Sequence, residues 1–122
     1  MANILLVEDD DQLRAMLKLL LTSCGHEVSE ASNGTRVCDI YQKERFDLVI
    51  TDLVMPDTEG LEVIMELRRT DSDVRIIAMS GGGLGRAEEY LKIARKAGAQ
   101  LTLSKPFGNE EFLEMVRSAL ET

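Results

Sequence analysis

The chain's first chemical feature is a set of acids at the end of an apolar run: Ile4-Leu5-Leu6-Val7 leads directly into Glu8, Asp9, Asp10 and Asp11. Three later apolar runs also end in groups that can react or bind. Asp52 follows Leu48-Val49-Ile50-Thr51, Ser80 follows Ile76-Ile77-Ala78-Met79, and Ser104 and Lys105 follow Leu101-Thr102-Leu103. Carboxylates brought within a few ångströms disfavour one another's ionisation. A hard divalent cation with oxygen ligands can offset that repulsion, and so can an ammonium group. Mg²⁺ uses one or two carboxylates, keeps waters, and leaves positions for phosphate oxygens. One nucleophilic carboxylate with a cation, a lysine and a hydroxyl around it is equipped for phosphoryl transfer, which depends on positioning and charge neutralisation.

Whether these groups meet depends on the elements that carry them. Short apolar runs predict strands over residues 3–7, 27–30, 46–51, 74–79 and 100–103. Leu13, Met16, Leu17, Leu20 and Leu21 recur at helical spacing and predict one buried face of a first helix, closed by Gly25. Asn33 is placed to cap a second helix running to about residue 44, with Val37, Ile40 and Tyr41 inward. Met55-Pro56-Asp57-Thr58 reads as a turn, after which Leu61, Ile64, Met65 and Arg68 keep helical spacing. A fourth helix over about 86–97 turns Tyr90, Leu91 and Ala94 inward and ends at Gly98. A fifth starts near Asn109, with Phe112, Leu113, Val116 and Leu120 on one face.

Strict βα alternation predicts an α/β fold: a doubly wound, five-stranded parallel sheet with right-handed crossovers and helices on both faces. The unbroken Leu48-Val49-Ile50 suits a strand covered on both sides. Ligands of such sheets bind at the carboxyl ends of the strands, where strand order reverses. That is where Glu8, Asp9, Asp52, Ser80 and Lys105 fall. Asp10 and Asp11 read instead as caps and dipole complements of the first helix.

Composition narrows the classes. The 122 residues suit one domain, residues 1–122, with 44% hydrophobic and 30% charged residues, as in an ordinary soluble globular protein. A net charge of −8 argues against direct nucleic-acid binding. No stretch has the roughly 20 apolar residues of a membrane span, and the N-terminal run lacks a basic flank and reads as a strand, not a signal peptide. Cys24 and Cys38 form no CxxC pair and read as buried, reduced thiols of a cytoplasmic protein. The lone His26 reads as a turn residue. The run Gly81-Gly82-Gly83-Leu84-Gly85 lacks the Gly-Lys-Ser/Thr of a phosphate loop, and Arg86 stands where a dinucleotide fingerprint needs its third glycine. Its meaning is backbone freedom beside Ser80.

Three segments, in order, resemble the response-regulator receiver domains of bacterial two-component signalling, the CheY-like superfamily: ILLVEDD, DLVITDLVMPDTEG and SKPF, with Ser80 between the last two. The resemblance covers essentially the whole chain. It implies a flavodoxin-like sheet of order 2-1-3-4-5 and a phosphorelay switch that is not a turnover enzyme. By this resemblance Asp52 is the phosphoacceptor, Asp9 a direct Mg²⁺ ligand and Glu8 its neighbour. Val54 offers a backbone carbonyl to the metal, Ser80 and Lys105 contact the phosphoryl group, and Lys105–Pro106 is a cis peptide. The implied partners are a sensor histidine kinase or histidine phosphotransfer protein and a downstream protein target, with the chain a monomer or weak dimer.

Two departures stand out. Thr102 replaces the usual aromatic switch residue. Val54 and Gly82 offer no side chain to orient a hydrolytic water, so slow self-dephosphorylation is expected. Ala15, Leu19 and Thr22 form a second helix face suited to docking a helical phosphodonor. Two other readings are a Mg²⁺-dependent aspartyl-phosphate phosphatase, disfavoured by Val54 where an acid/base aspartate belongs, and a phosphorylation-independent scaffold, disfavoured by the intact acid cluster and lysine.

Overall fold

The structure is a computed structural model and describes residues 1–53, 60–81 and 87–121. Its elements alternate as β1 (Asn3–Val7), α1 (Asp11–Ser23), β2 (Glu27–Ala31), α2 (Val37–Lys43), β3 (Leu48–Asp52), α3 (Gly60–Thr70), β4 (Ile76–Gly81), α4 (Ala87–Ala97), β5 (Leu101–Lys105) and α5 (Asn109–Glu121). The five strands form one parallel sheet in the expected order β2-β1-β3-β4-β5.

The sheet's period of two divides the core. Leu5, Val7, Val49, Ile76 and Ala78 point to one face and pack with Val37 and Tyr41 of α2, Val63, Ile64 and Leu67 of α3, and Leu91 and Ala94 of α4. Ile4, Leu6, Leu48, Ile50, Ile77, Met79 and Leu103 point to the other, against Leu17 and Leu21 of α1 and Phe112, Val116 and Ala119 of α5. β3 is buried at all five positions because helices cover both of its faces.

Several local expectations are corrected. β3 and β4 begin two residues later than the sequence pattern suggests and also end later: Asp52 is the last residue of β3, and Ser80 lies inside β4, which runs to Gly81. β5 likewise extends through Ser104 and Lys105. α2 starts at Val37 without a side-chain cap, because the Asn33 Oδ1 accepts from the Thr35 N–H and closes a turn. Met16 and Met65 lie on the solvent side of their helices; Val63 and Leu67 fill the α3 stripe. Cys24 is exposed and Cys38 half-buried, its thiol pushed up to about 11 by burial first and then by Glu66. His26 does sit in the turn, its Nδ1 accepting from the Ala2 N–H. Gly25 (φ +89°) and Gly98 (φ +132°) follow α1 and α4 as expected. The turn at residues 55–58, the run at residues 82–85 and the Tyr90 side chain lie outside the described residues.

Candidate functional site

β1 lies between β2 and β3, so the chain leaves the carboxyl ends of β1 and β3 in opposite directions across the sheet. The crevice this opens is where the acids gather. Glu8 follows β1 directly, and its N–H donates to the Ala31 carbonyl at 3.0 Å, continuing the β1–β2 ladder by one bond. Its side chain is fully buried. Asp52, the last residue of β3, is 3% exposed, and Asp9 is exposed at the mouth. One carboxylate oxygen from each of Glu8, Asp9 and Asp52 lies within 4.8 Å of the other two.

Lys105 reaches in from the end of β5. Its Nζ donates to Glu8 Oε1 at 2.7 Å and to Asp52 Oδ2 at 3.1 Å. The other Glu8 oxygen accepts from the Asp10 N–H at 3.1 Å. Gly81 faces Lys105 across the β4–β5 pair, and a Cβ there would stand 3.4 Å from the lysine Cδ.

The charges are unbalanced. Burial pushes the Glu8 carboxyl up to about 7; Asp52 adds to that rise, while the hydrogen bond from Lys105 opposes it. Burial acts to lower Lys105, but its bond to Glu8 and the charge of Asp52 outweigh it, and its pKa lies above the ordinary value. Three carboxylates and one ammonium leave the cluster short of positive charge. The three oxygens, all within 4.8 Å of one another, are close enough for a small cation such as Mg²⁺ to draw them together. The donor set is all oxygen, as a hard cation requires. Ser80, 1% exposed near the end of β4, has a buried Oγ with no hydrogen-bond partner among the described residues. Buried hydroxyls are nearly always hydrogen-bonded, so this one marks Ser80 as a candidate contact for a ligand.

Sequence reasoning thus named Glu8, Asp9, Asp52, Ser80 and Lys105, and all five lie at the strand ends. Val54 lies outside the described residues. Asp10 caps α1 as expected, accepting from the Gln12 and Leu13 N–H groups. The Lys105–Pro106 peptide is cis. Arg14 was missed: its Nη1 donates to the Glu8 carbonyl at 2.7 Å. The available signal was its position four residues beyond the N-cap, on the turn of α1 nearest the acids.

A family model described as the response regulator receiver domain matches residues 4–117. The chain belongs to that family. It is a phosphoacceptor signalling switch of two-component systems. Sporulation initiation phosphotransferase F of Bacillus subtilis is 30% identical over 117 residues, covering 96% of this chain and 92% of that protein. Chemotaxis protein CheY of the same organism is 34% identical over 118 residues, covering 96% of each. The transcriptional regulator NtrC of Azospirillum brasilense is 37% identical over 124 residues; there the match spans 99% of this chain but only 24% of the relative. Among solved structures, a receiver domain protein from Clostridium thermocellum superposes with a TM-score of 0.89 at 28% identity, over 99% of this chain and 95% of that one. The response regulator TrrA of Thermotoga maritima, solved in complex with Mg²⁺–BeF, gives 0.86 at 32% identity over 98% and 100%.

Receiver domains bind Mg²⁺ at an acidic site and act as signalling switches, not as turnover enzymes. They are phosphorylated by histidine kinases or phosphotransfer proteins. No helix among the described residues is long and apolar enough to cross a membrane.

Proposed function

We propose that residues 1–122 act as one cytoplasmic receiver unit in which Asp52 takes a phosphoryl group from a phosphohistidine. An Asp52 carboxylate oxygen attacks phosphorus, the P–N bond breaks, and the imidazole leaves with a proton from solvent. Glu8, Asp9 and Asp52, with the Val54 carbonyl, would hold Mg²⁺. When bound, the ion neutralises charge on the phosphoryl oxygens. Lys105 stands 3.1 Å from Asp52 and would pair with a phosphoryl oxygen once the carboxylate is phosphorylated. Ser80 would donate its unused O–H to another. The observation that carries this reading is the buried Asp52 clustered with Glu8 and Asp9 and paired with Lys105, with a hydroxyl on the neighbouring strand that is unsatisfied among the described residues.

The exposed Leu19, 68% accessible on α1, supports docking of a helical histidine-bearing donor, and Met16 widens that apolar patch. Leu19→Asp then slows transfer from a cognate donor while leaving labelling by acetyl phosphate unchanged. Equal transfer rates would remove the patch from the reading. The downstream partner is a protein that distinguishes the phosphorylated state, and the chain is a monomer or weak dimer.

Intact mass after incubation with acetyl phosphate and Mg²⁺ tests the core of the proposal. One phosphoryl adduct is expected, absent without Mg²⁺ and absent in Asp52→Asn. No adduct and no released phosphate would instead make the chain a scaffold. Fast catalytic phosphate release would make it a phosphatase.

A further inference from the structure

The turn from Glu8 to Asp10 carries two of the three clustered acids, yet Asp9 is exposed and stands outside the sheet. Something must hold that turn in place. The Glu8 N–H is fixed to Ala31 of β2, and the Asp10 N–H to the Glu8 carboxylate. The two carbonyls of the turn's ends both go to one residue. The Glu8 carbonyl accepts from Arg14 Nη1 at 2.7 Å, and the Asp10 carbonyl from the Arg14 backbone N–H at 2.9 Å.

Arg14 is itself braced. Its Nη2 donates to Asp11 Oδ1 at 2.8 Å, and its Nε to Glu30 Oε1 on β2 at 3.3 Å; the other Glu30 oxygen meets Lys18 Nζ at 3.0 Å. The side chain is 17% exposed, well covered for an arginine. Three donors of one planar guanidinium thus address three acceptors in fixed directions, a geometry a lysine ammonium does not reproduce.

We propose that Arg14 is a positioning residue for the acid site: a clamp that joins β2 and the first turn of α1 to the Glu8 carbonyl and so sets the turn that presents Glu8 and Asp9. The part of this inference that concerns metal rests on the Mg²⁺ reading above; the part that concerns the turn does not. Charge alone makes the opposite prediction. A bystander cation next to an acid cluster repels Mg²⁺, so neutralising it would tighten metal binding. A clamp that orients ligands weakens binding when lost, by about tenfold or more for groups that hold ligands from behind.

The test uses the full chain as wild type, Arg14→Gln, Arg14→Lys and, as a charge control, Arg117→Gln, whose arginine pairs with Glu114 on the exposed side of α5. In metal-free protein, backbone order parameters of residues 8–10 fall from about 0.85 toward 0.6 in both Arg14 variants, while Leu5 in β1 stays rigid. Calorimetric titration with Mg²⁺ then shows affinity about tenfold weaker in both Arg14 variants and unchanged in Arg117→Gln. Unchanged order in the turn overturns the clamp. So does tighter Mg²⁺ binding in Arg14→Gln with wild-type affinity in Arg14→Lys. Wild type that fails to bind Mg²⁺ sinks the metal reading instead, and the order parameters still decide the clamp. If either Arg14 variant loses its dispersed spectrum, Glu30→Ala removes one brace and must loosen the same turn in smaller degree.

Discussion

Ser80 has a buried hydroxyl with no hydrogen-bond partner among the described residues. An unsatisfied buried polar atom costs about 1–3 kcal/mol. Ser80→Ala removes that cost with little loss of volume, so the melting temperature of the resting protein should rise by about 4 °C, for about 1 kcal/mol. With Ser80 as the proposed phosphoryl donor, the same change should slow labelling by acetyl phosphate about tenfold or more. A variant that melts lower than wild type would show the hydroxyl already satisfied. Asp71 is a different case, a structural carboxylate 13% exposed beyond α3. The Tyr41 hydroxyl donates to it at 2.7 Å, and that bond first, then the Asp73 N–H and Arg45, holds its carboxyl below the ordinary value. A lowered folded pKa means stability that is present above the unfolded value near 4 and is lost as pH falls through the folded value. Asp71→Asn should therefore cost about 1 kcal/mol at pH 7, with the gap to wild type closing as melts are repeated toward pH 2. A gap that stayed constant would put the effect in shape and not in charge. The reacting groups were legible one by one because each follows an apolar run. Arg14 and Cys24 were not, since an arginine's partners and a cap's exposure depend on what folds back against them.

Gly60 shows what the elements require of each other. It opens α3, and its N–H donates to the Leu53 carbonyl at 3.1 Å. A Cβ built there would lie 2.5 Å from Leu53 Cα and 2.7 Å from the carbonyl oxygens of Asp52 and Leu53. All three are backbone atoms, so no rotamer change relieves the contact. Gly60→Ala must push α3 away from the end of β3, at about 2 kcal/mol by analogy with overpacking. Expected are a melting temperature lower by about 8 °C and slower acetyl phosphate labelling, because the displaced atoms belong to Asp52 and its neighbour. Wild-type melting and labelling together would refute this packing argument. Element order and most helix faces were readable from periodicity, while the strand order followed from the family resemblance. The starts of β3 and β4 were not: Phe46 and Val74 are buried apolar residues that continue the strand pattern although they lie ahead of the ladder. The start of α2 was lost to Asn33, whose side chain serves a turn as readily as a cap.

At the scale of the molecule, the site joins elements that are far apart in sequence. Glu8 and Lys105 are 97 residues apart, and Asp52 lies 53 from Lys105. Those links bridge the carboxyl ends of β1, β3 and β5, while the core clusters on both faces share the same sheet. A ligand that ties these strand ends together should therefore stabilise the whole fold and not one loop. Linkage sets the size of the effect. Mg²⁺ at 100 times its dissociation constant contributes about 2.7 kcal/mol, or about 10 °C in melting temperature. Beryllium fluoride, which mimics an acyl phosphate on a carboxylate, should add a further rise only when Mg²⁺ is present, as Lys105 and Ser80 gain an anion to bind. In Asp52→Asn the beryllium fluoride increment should vanish. In Ser80→Ala it should shrink but persist, because Lys105 remains. A rise confined to local hydrogen-exchange protection near residues 8–10, with no change in global melting, would mean that the strand ends are held independently. The same comparison bears on Thr102, which pairs with Ala78 across β4 and β5 and is only partly buried. With no aromatic ring there to turn inward, an anion bound by Ser80 as proposed would act on the surface through β4 and β5 themselves. Amides of those two strands should then gain the largest protection on beryllium fluoride binding.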